Sequence, residues 1–471
     1  MPPMQSLAAV AEVIGPANVL SAPEDVAPYA VDWRNAYRGT PVAVLRPGTT
    51  QEVAEAMKWC TREGLAIVPA GGRTGLAGAA VPAANGPASV VLSLERLNRI
   101  RSVDARDFSI VAEAGCVVQT VQQAAAEAGR LFPIQWGAQG TAQIGGMLST
   151  NAGGIRTLRW GNARELVLGL EVVLPDGRVL DDLRRVRKDN SGYALRHLFI
   201  GGEGTLGVIT AAAMRLQPAL KRVETAFVAV PSPDAALSLF SRVMESGAEV
   251  IAFELCARYC MAIAAKNGVG LRIPLPLESP WYVMLELAAA HESVPLRAIM
   301  EDTLAAAIEA GEVDDAAIAE SEAQRQMIWK IREDYPECSR MEGPSINTDT
   351  AVPVSAVPEF LRQVQRDLGA RWPEGLISAI GHAGDGNIHV SLHAPAGMDR
   401  PTWVARAGEM EPLVNAIAVS LGGSFSAEHG IGQSKRHAMA THKDPIAMDV
   451  MRAVKAAIDP QNRMNPGKVL P

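Results

Sequence analysis

Short apolar runs broken by glycine mark the first half of the chain. Positions 42–45, 65–68, 89–94, 109–113 and 166–174 are rich in β-branched residues and read as strands. Between the first two lies an amphipathic stretch, 50–62, that reads as a helix capped by Thr50. Glu52 and Glu55 fall in its first turns, where acidic side chains suit the helix dipole. Asp176-Gly177 reads as the turn of a hairpin joining 172–174 to 178–180. Gln217-Pro218 closes the block. From Val223 the pattern changes. Strand-like runs at 225–230, 250–255, 281–287 and 376–380 alternate with Ala-rich amphipathic helices over 233–246, 294–310 and 321–340. Such an order predicts an antiparallel sheet covered by helices, and an α+β fold class overall. The stretch 428–471 reads as helical and then irregular.

The glycines cluster. Pro69-Ala70-Gly71-Gly72-Arg73-Thr74-Gly75 forms one loop directly after a predicted strand, 137–154 forms a second, and Gly201 to Gly207 a third. Glycine admits positive φ and close backbone approach, and successive exposed amides form anion-binding concavities. Any one cluster alone reads as a tight surface turn. Three within a third of the chain point to a large phosphorylated ligand. Gly202, Gly204 and Gly207 spell G-x-G-x-x-G, but Val208-Ile209-Thr210 follows as a strand. A dinucleotide fingerprint must open a helix, so a Rossmann-type nicotinamide domain is excluded.

The chain has 471 residues, enough for two to four domains at about 150 residues each. With 48% hydrophobic and 20% charged residues it has ordinary globular usage. A net charge of −7 offers no footprint for nucleic acid. No apolar run approaches a membrane span, and residues 1–16 carry no Lys or Arg, which argues against a targeting peptide. Five scattered cysteines fit reduced thiols. The expectation is a soluble, cytoplasmic protein.

Sharper chemistry sits later. Gly381-His382-Ala383-Gly384-Asp385-Gly386-Asn387-Ile388-His389 places two imidazoles across an Asp-Gly turn, and Ser426-Ala427-Glu428-His429-Gly430 follows about forty residues on. Two imidazoles and a carboxylate form a common open divalent-metal set. The spacing alone is equally compatible with turn histidines satisfied by backbone.

Together these motifs resemble the vanillyl-alcohol-oxidase-type (PCMH-type) FAD flavoproteins. Carrying the resemblance are Pro69-x-Gly71-Gly72-x-Thr74-Gly75, the 144–154 segment and Gly201 to Gly207. His382 to His389, Glu428-His429-Gly430 and Asn465-Pro466-Gly467-Lys468 resemble the branch holding D-lactate, D-2-hydroxyglutarate and glycolate dehydrogenases. The resemblance implies a two-part FAD-binding domain over 1–218, a cap or substrate domain over 219–425, and a C-terminal segment, 426–471, that returns to the FAD domain and active site. FAD contacts are expected from Pro69, Gly71, Gly72, Arg73, Thr74, Gly75, Gly140, Thr141, Ile144, Gly145, Thr150, Asn151, Glu203, Ile209 and Asn465. Some superfamily members tether FAD through a His in the first loop. Arg73 stands there, so noncovalent FAD is expected. A divalent metal, zinc or else manganese, would sit on His382, His389 and Glu428. His429 is the expected general base, and Arg332, in Trp329-Lys330-Ile331-Arg332-Glu333, the substrate-carboxylate clamp. Asn347 and Asn387 complete the expected substrate contacts.

The implied reaction is oxidation of a D-2-hydroxy acid to the 2-oxo acid, with hydride transfer to flavin N5 after metal-assisted deprotonation. A D-2-hydroxyglutarate dehydrogenase would offer a Lys where Asn347 stands and a Thr where Pro336 stands. With less positive charge for a second carboxylate, a D-lactate-like monocarboxylate is the first expectation and D-2-hydroxyglutarate the alternative. A second alternative is the FAD subunit of a glycolate-oxidase-type complex that needs partners. The electron acceptor is open among a quinone, an electron-transfer flavoprotein and a cytochrome, and a homodimer is allowed for.

Overall fold

The computed structural model describes residues 4–471 and divides into two compact units. Of the described residues, 4–154, 161–219 and 428–471 belong to the first; 155–160 and 220–427 belong to the second.

In the first unit, β1 (Val19–Leu20), β2 (Ala43–Leu45), β3 (Ala66–Ala70) and β4 (Ser89–Ser93) form a sheet of order β1-β2-β4-β3, with β4 parallel to both β2 and β3. The three parallel strands β2, β3 and β4 are buried over most of their length, as parallel strands covered by helices must be. The helix Thr50–Arg62 lies against them through Val53, Ala54, Met57 and Cys60. Its cap is Thr49, whose side chain accepts from the Glu52 amide at 3.1 Å, and not the expected Thr50. Thr50 Oγ1 donates instead to the Glu171 carboxylate, a long-range partner that local cap rules do not foresee.

β5 (Ile100–Asp104), β6 (Ser109–Glu113), β8 (Val167–Val173), β9 (Val179–Asp182) and β10 (Val208–Arg215) form an antiparallel sheet of order β5-β6-β10-β8-β9. The expected hairpin is present, with Val173 opposite Val179 and Gly177 at φ +82°. Strand β10 follows the third glycine loop, as the exclusion of a Rossmann domain required. β7 (Arg130–Leu131) pairs β11 (Gln217–Pro218).

The second unit is one antiparallel sheet. Its strands are β12 (Arg222–Val230), β13 (Glu249–Ala257), β14 (Trp281–Ala289), β15 (Asp315–Ile318), β16 (Ser345–Asn347), β17 (Thr350–Ala351), β18 (Leu376–His382) and β19 (Asn387–His393). Their order is β15-β12-β14-β13-β18-β19-β16, with β17 also on β19. One face packs Phe253, Leu255, Leu285, Ile388, Val390 and Leu392 into a dry core with helices that include Pro233–Glu245, Leu296–Glu309 and Val357–Arg371. The opposite face carries Phe227, Tyr282, Met284 and Cys256 against the helices Arg258–Asn267 and Glu322–Glu342. Side chains alternate across a strand, so each strand supplies both faces. The sheet and the three helices read from sequence are present. The helices Arg258–Asn267, Val357–Arg371, Arg400–Ala407 and Met410–Ser420 extend that reading.

Candidate active site

On the second face of this sheet the apolar packing gives way to polar groups. β18 and β19 pair His382 with Asn387 and Ile380 with His389, which sets all four side chains on one face. The turn between them, 383–386, is tight. Gly386 has φ +84°, and a Cβ there would come 2.0 Å from the Val352 carbonyl oxygen. The His382 and His389 rings lie 6.1 Å apart, centroid to centroid.

β13 brings a residue that the sequence reading did not select. Leu255 pairs Gly381 and Cys256 pairs Ile380, so Glu254 lies beside His382. It is fully buried and accepts from His382 Nδ1 on one oxygen and from Arg332 Nε, at 2.7 Å, on the other. Burial alone would raise this carboxyl; His382 and Arg332 outweigh it and hold it at about 2. A carboxylate that takes the Nδ1 proton bond fixes the ring orientation and turns Nε2 outward as an acceptor, the usual support for a metal-ligating imidazole. The same carboxylate fixes the guanidinium plane of Arg332. One buried acid therefore orients both a prospective ligand and a prospective clamp.

Arg332 belongs to a row of polar side chains on the long helix Glu322–Glu342. Trp329 Nε1 and Arg325 Nη1 both reach Glu286 Oε2, at 2.5 and 3.2 Å, and Tyr335 Oη donates to Ser378 Oγ at 3.0 Å. Spaced three or four apart, these residues share a helix face and meet successive strands β14, β13 and β18. Asp349, 1% exposed, lies with its Oδ1 3.9 Å from His389 Nδ1. Asn387 Nδ2 donates to the Thr350 carbonyl at 2.9 Å and to Asp349 Oδ1 at 3.4 Å. The amide of Ala427 donates to the Asp349 carbonyl at 3.3 Å, and Glu428 is the next residue in the chain. Asn347 lies exposed on β16, its Oδ1 accepting from Ser345 Oγ at 3.1 Å. The second unit thus gathers Arg332, His382, His389 and Asn387, and adds Glu254 and Asp349. Glu428 and His429 open the C-terminal stretch of the first unit, with His429 Nε2 3.9 Å from Glu428 Oε1.

The glycine loops of the first unit are held by backbone. Pro69 lies in β3 one residue before its end, and Gly71-Gly72 run directly against the second loop. A Cβ on Gly72 would sit 2.1 Å from the Thr141 carbonyl oxygen, and one on Gly71 3.3 Å from the Gly146 amide. Gly145 is buried, its amide bonded to the Ala114 carbonyl at 2.7 Å, and Ile144 is buried beside it. A Cβ on Gly75 would meet nothing, and Gly140 is exposed. Thr74 and Thr150 are half-buried, and Ile209 is buried within β10 opposite Val172. Arg73, Asn151, Glu203 and Asn465, all expected cofactor residues, take positive φ of 55°, 52°, 48° and 45°. Non-glycine residues in that region are strained, and such strain gathers at ligand sites.

Local partners hold this strain. Asn151 Oδ1 accepts from the Arg164 amide at 2.9 Å. Asn465 Nδ2 donates to the Ala79 and Glu203 carbonyls at 3.0 and 2.8 Å. The Glu203 carboxylate accepts from the amides of Ile431 and Gly432 at 2.6 and 2.8 Å, so it braces a backbone loop; burial pushes its pKa up. Arg73 turns its guanidinium over the Tyr29 ring, 4.2 Å from the centroid. Two buried acceptors in this cradle, Gln143 Oε1 and Asn465 Oδ1, lack a hydrogen-bond partner. Buried polar atoms left unsatisfied call for a ligand. A polyhydroxylated, amide-bearing cofactor supplies such donors, so the cradle fits FAD.

Comparison with known proteins agrees with this geometry. The family described as FAD binding domain matches residues 41–182, and that described as FAD linked oxidases, C-terminal domain, matches 219–469. The chain belongs to the FAD-linked oxidases, and it is an FAD-dependent oxidoreductase. Among its relatives is the mitochondrial D-2-hydroxyglutarate dehydrogenase of Bos taurus, 36% identical over 99% of this chain and 83% of the relative. Another is the D-2-hydroxyglutarate dehydrogenase of Xanthomonas citri pv. viticola, 36% identical over 95% of this chain and 93% of the relative. The fold is that of PCMH-type flavoproteins. p-Cresol methylhydroxylase superposes with a TM-score of 0.76 at 15% identity, covering 98% of this chain and 96% of its own. Alkyldihydroxyacetonephosphate synthase gives 0.75 at 16% identity, over 100% of this chain and 86% of its own. No helix of the described residues is long and apolar enough to cross a membrane.

Proposed function

We propose that the protein oxidises a D-2-hydroxy acid to the 2-oxo acid, with D-lactate-like monocarboxylates preferred. The observation that carries the reading is the shared Glu254 carboxylate, which fixes His382 and Arg332 together on the polar face of the sheet. When bound, FAD would supply the hydride acceptor and a divalent metal, zinc or manganese, would supply Lewis acidity toward the substrate hydroxyl. His382, His389 and Glu428 are the metal residues in this reading; imidazole nitrogen and carboxylate oxygen suit either ion. Asp349 stands behind His389. Arg332 binds the α-carboxylate, for which a planar fork held in one orientation gives two parallel bonds. His429 takes the hydroxyl proton, and Asn387 and Asn347 line the substrate's surroundings. FAD is held noncovalently, because Arg73 stands where a tethering His would be.

A second reading, D-2-hydroxyglutarate as the preferred acid, is favoured by the names of the relatives. Against it stands the neutral Asn347, already engaged by Ser345. A panel of D- and L-2-hydroxy acids with a dye acceptor, before and after chelation, tests both. The expected result is activity on D-acids alone, lost on chelation with FAD retained and restored by zinc or manganese. Full turnover in a preparation shown metal-free by elemental analysis overturns the metal assignment.

A further inference from the structure

Residues 184–195, between edge strand β9 and the third glycine loop, form a run with no buried side chain. In and beside it Val179, Val186, Tyr193, Leu195 and Leu198 are 40, 53, 95, 42 and 36% exposed. Exposed apolar residues scattered singly are ordinary, but five within twenty positions are a local concentration, and concentrated exposed apolar surface marks interaction sites. The same run carries Arg184, Arg185, Arg187 and Lys188. Arg184 pairs Asp182 and Asp189, and Arg185 pairs Asp104 and Asp107. Arg187 and Lys188 are exposed and have no ion-pair partner among the described residues. This is an apolar and basic face on a chain of net charge −7.

Its root is tied to the cofactor cradle of the same unit. Arg164 donates to the carbonyls of His197 and Ile200, at 2.9 and 2.6 Å, while its own amide reaches Asn151 Oδ1. The amides of Gly201 and Glu203 donate to the carbonyls of Leu148 and Ser149, at 3.0 and 2.8 Å. The run therefore leads along the chain into the third glycine loop, which is anchored to the second.

We propose that the 184–195 face is the docking surface of an acidic electron-carrying protein that reoxidises the enzyme. Each hydroxy acid oxidised leaves two electrons and one proton on the cofactor. Two one-electron carriers remove the electrons in turn, and the proton goes to solvent. An acidic carrier is steered to this face and repelled by the rest of an acidic chain. An anionic membrane fits less well, because the run is not an amphipathic helix and holds a single aromatic residue.

The test uses the FAD-loaded full chain and the double variant Arg187→Glu/Lys188→Glu. Acceptors are plastocyanin as an acidic one-electron carrier, cytochrome c as a basic one, and dichlorophenolindophenol as a small dye. At low ionic strength the wild type is expected to reduce plastocyanin faster than cytochrome c. The variant should lose about tenfold or more of the plastocyanin rate, with the loss shrinking as salt screens it. Dye reduction should stay unchanged. A wild type with no preference for the acidic carrier, or a variant equally impaired with dye, overturns the proposal. So does binding to phosphatidylglycerol vesicles, or self-association by sedimentation velocity, that the variant abolishes while plastocyanin reduction is kept. Dye activity separates a failure here from failure of the dehydrogenase reading.

Discussion

The first unit prepares its ligand site with backbone, the second with side chains. In the first, Gly72 packs loop against loop with no room for a Cβ, and Arg73, Asn151, Glu203 and Asn465 are among the non-glycine residues held at positive φ. The buried carboxylate beside its loops, Glu203, serves two amides. In the second, the tight turn at 383–386 serves only to join the two strands that carry the histidines. In the proposed reading the chemistry rests on imidazole, guanidinium and carboxylate groups projecting from one face of a sheet whose other face is apolar. The difference follows the ligands. A long cofactor offers phosphates and hydroxyls along its length, which repeated amides can meet. A small hydroxy acid offers few atoms, and only charged side chains in fixed orientations can grip and activate it.

The sharpest way to break this comparison is to remove one supporting side chain and watch the cofactor. Ala at His382, His389 or Glu428 should lower kcat by about three orders of magnitude or more while FAD stays bound, since residues acting as a unit fail together. Glu254→Ala should match them, because it leaves Arg332 and His382 without their shared partner in a buried setting. The readouts are steady-state kcat and the flavin absorbance of the purified variants. Activity near wild type in Glu254→Ala would show that the shared carboxylate is not what prepares the site. Glu254 also predicts a pH limit. Its folded pKa, about 2, lies below the ordinary carboxyl value of 4.5. Its contribution to stability is thus complete above 4.5 and disappears as pH falls from there toward 2. Acid unfolding followed by circular dichroism should be less steep for Glu254→Gln in that window.

The converse break falls on the first unit. Gly72→Ala places a methyl where the Thr141 carbonyl oxygen stands 2.1 Å away, so the two loops must separate. The expected protein is folded and colourless as purified, with FAD affinity down by about a hundredfold or more. Flavin fluorescence titration measures this, and near-normal FAD binding would show that the contact between loops does not shape the cradle.

Sequence made these two regions legible to different degrees. Glycine spacing exposed the cradle because a local backbone requirement leaves a local mark: a loop directly after β3, another over 137–154, a third before β10. The Asp385-Gly386 turn and the histidines flanking it were visible for the same reason. Glu254 was not. Its partner His382 is 128 positions away, and only the pairing of β13 with β18 brings them together. A faint signal existed, since a carboxylate inside the apolar run Ile251-Ala-Phe-Glu-Leu-Cys256 must find a cation if buried. The same holds for Glu113, Glu171 and Glu286, each in an apolar strand and each paired with arginine. The Thr49 cap escaped because Thr50 is equally suited by type, and a tertiary bond to Glu171 decided between them.

Substrate choice offers a smaller test. Asn347→Lys adds a cation to an exposed position of β16, on the sheet face that also carries His389 and Ser391. A charge-assisted bond to a second carboxylate is worth about 1.5–3 kcal/mol, or roughly ten- to a hundredfold in kcat/KM. Wild type should favour D-lactate over D-2-hydroxyglutarate, and the variant should narrow or invert the order. A wild-type preference for D-2-hydroxyglutarate would mean that other cations serve the far carboxylate, and that this specificity does not hinge on position 347.

The smallest expected effect tests whether the backbone cradle also depends on a side chain. Lys468 is 3% exposed, with its Nζ 3.4 Å from the Pro466 carbonyl oxygen. Burial, helped by Arg436 and opposed by Glu203, pulls its pKa from 10.5 down to about 8. The unfolded chain therefore holds this proton when the folded chain has released it. Stability should rise as pH climbs from about 8 toward 10.5, by about 1 kcal/mol over the first unit. An anionic cofactor beside the amine would draw its pKa back up and flatten that rise. Thermal melts of flavin-stripped protein between pH 8 and 9 should show the slope, flavin-loaded protein should show less of it, and Lys468→Met should show none. Equal slopes with and without FAD would place Lys468 outside the cofactor's electrostatic reach and leave the cradle to its amides alone.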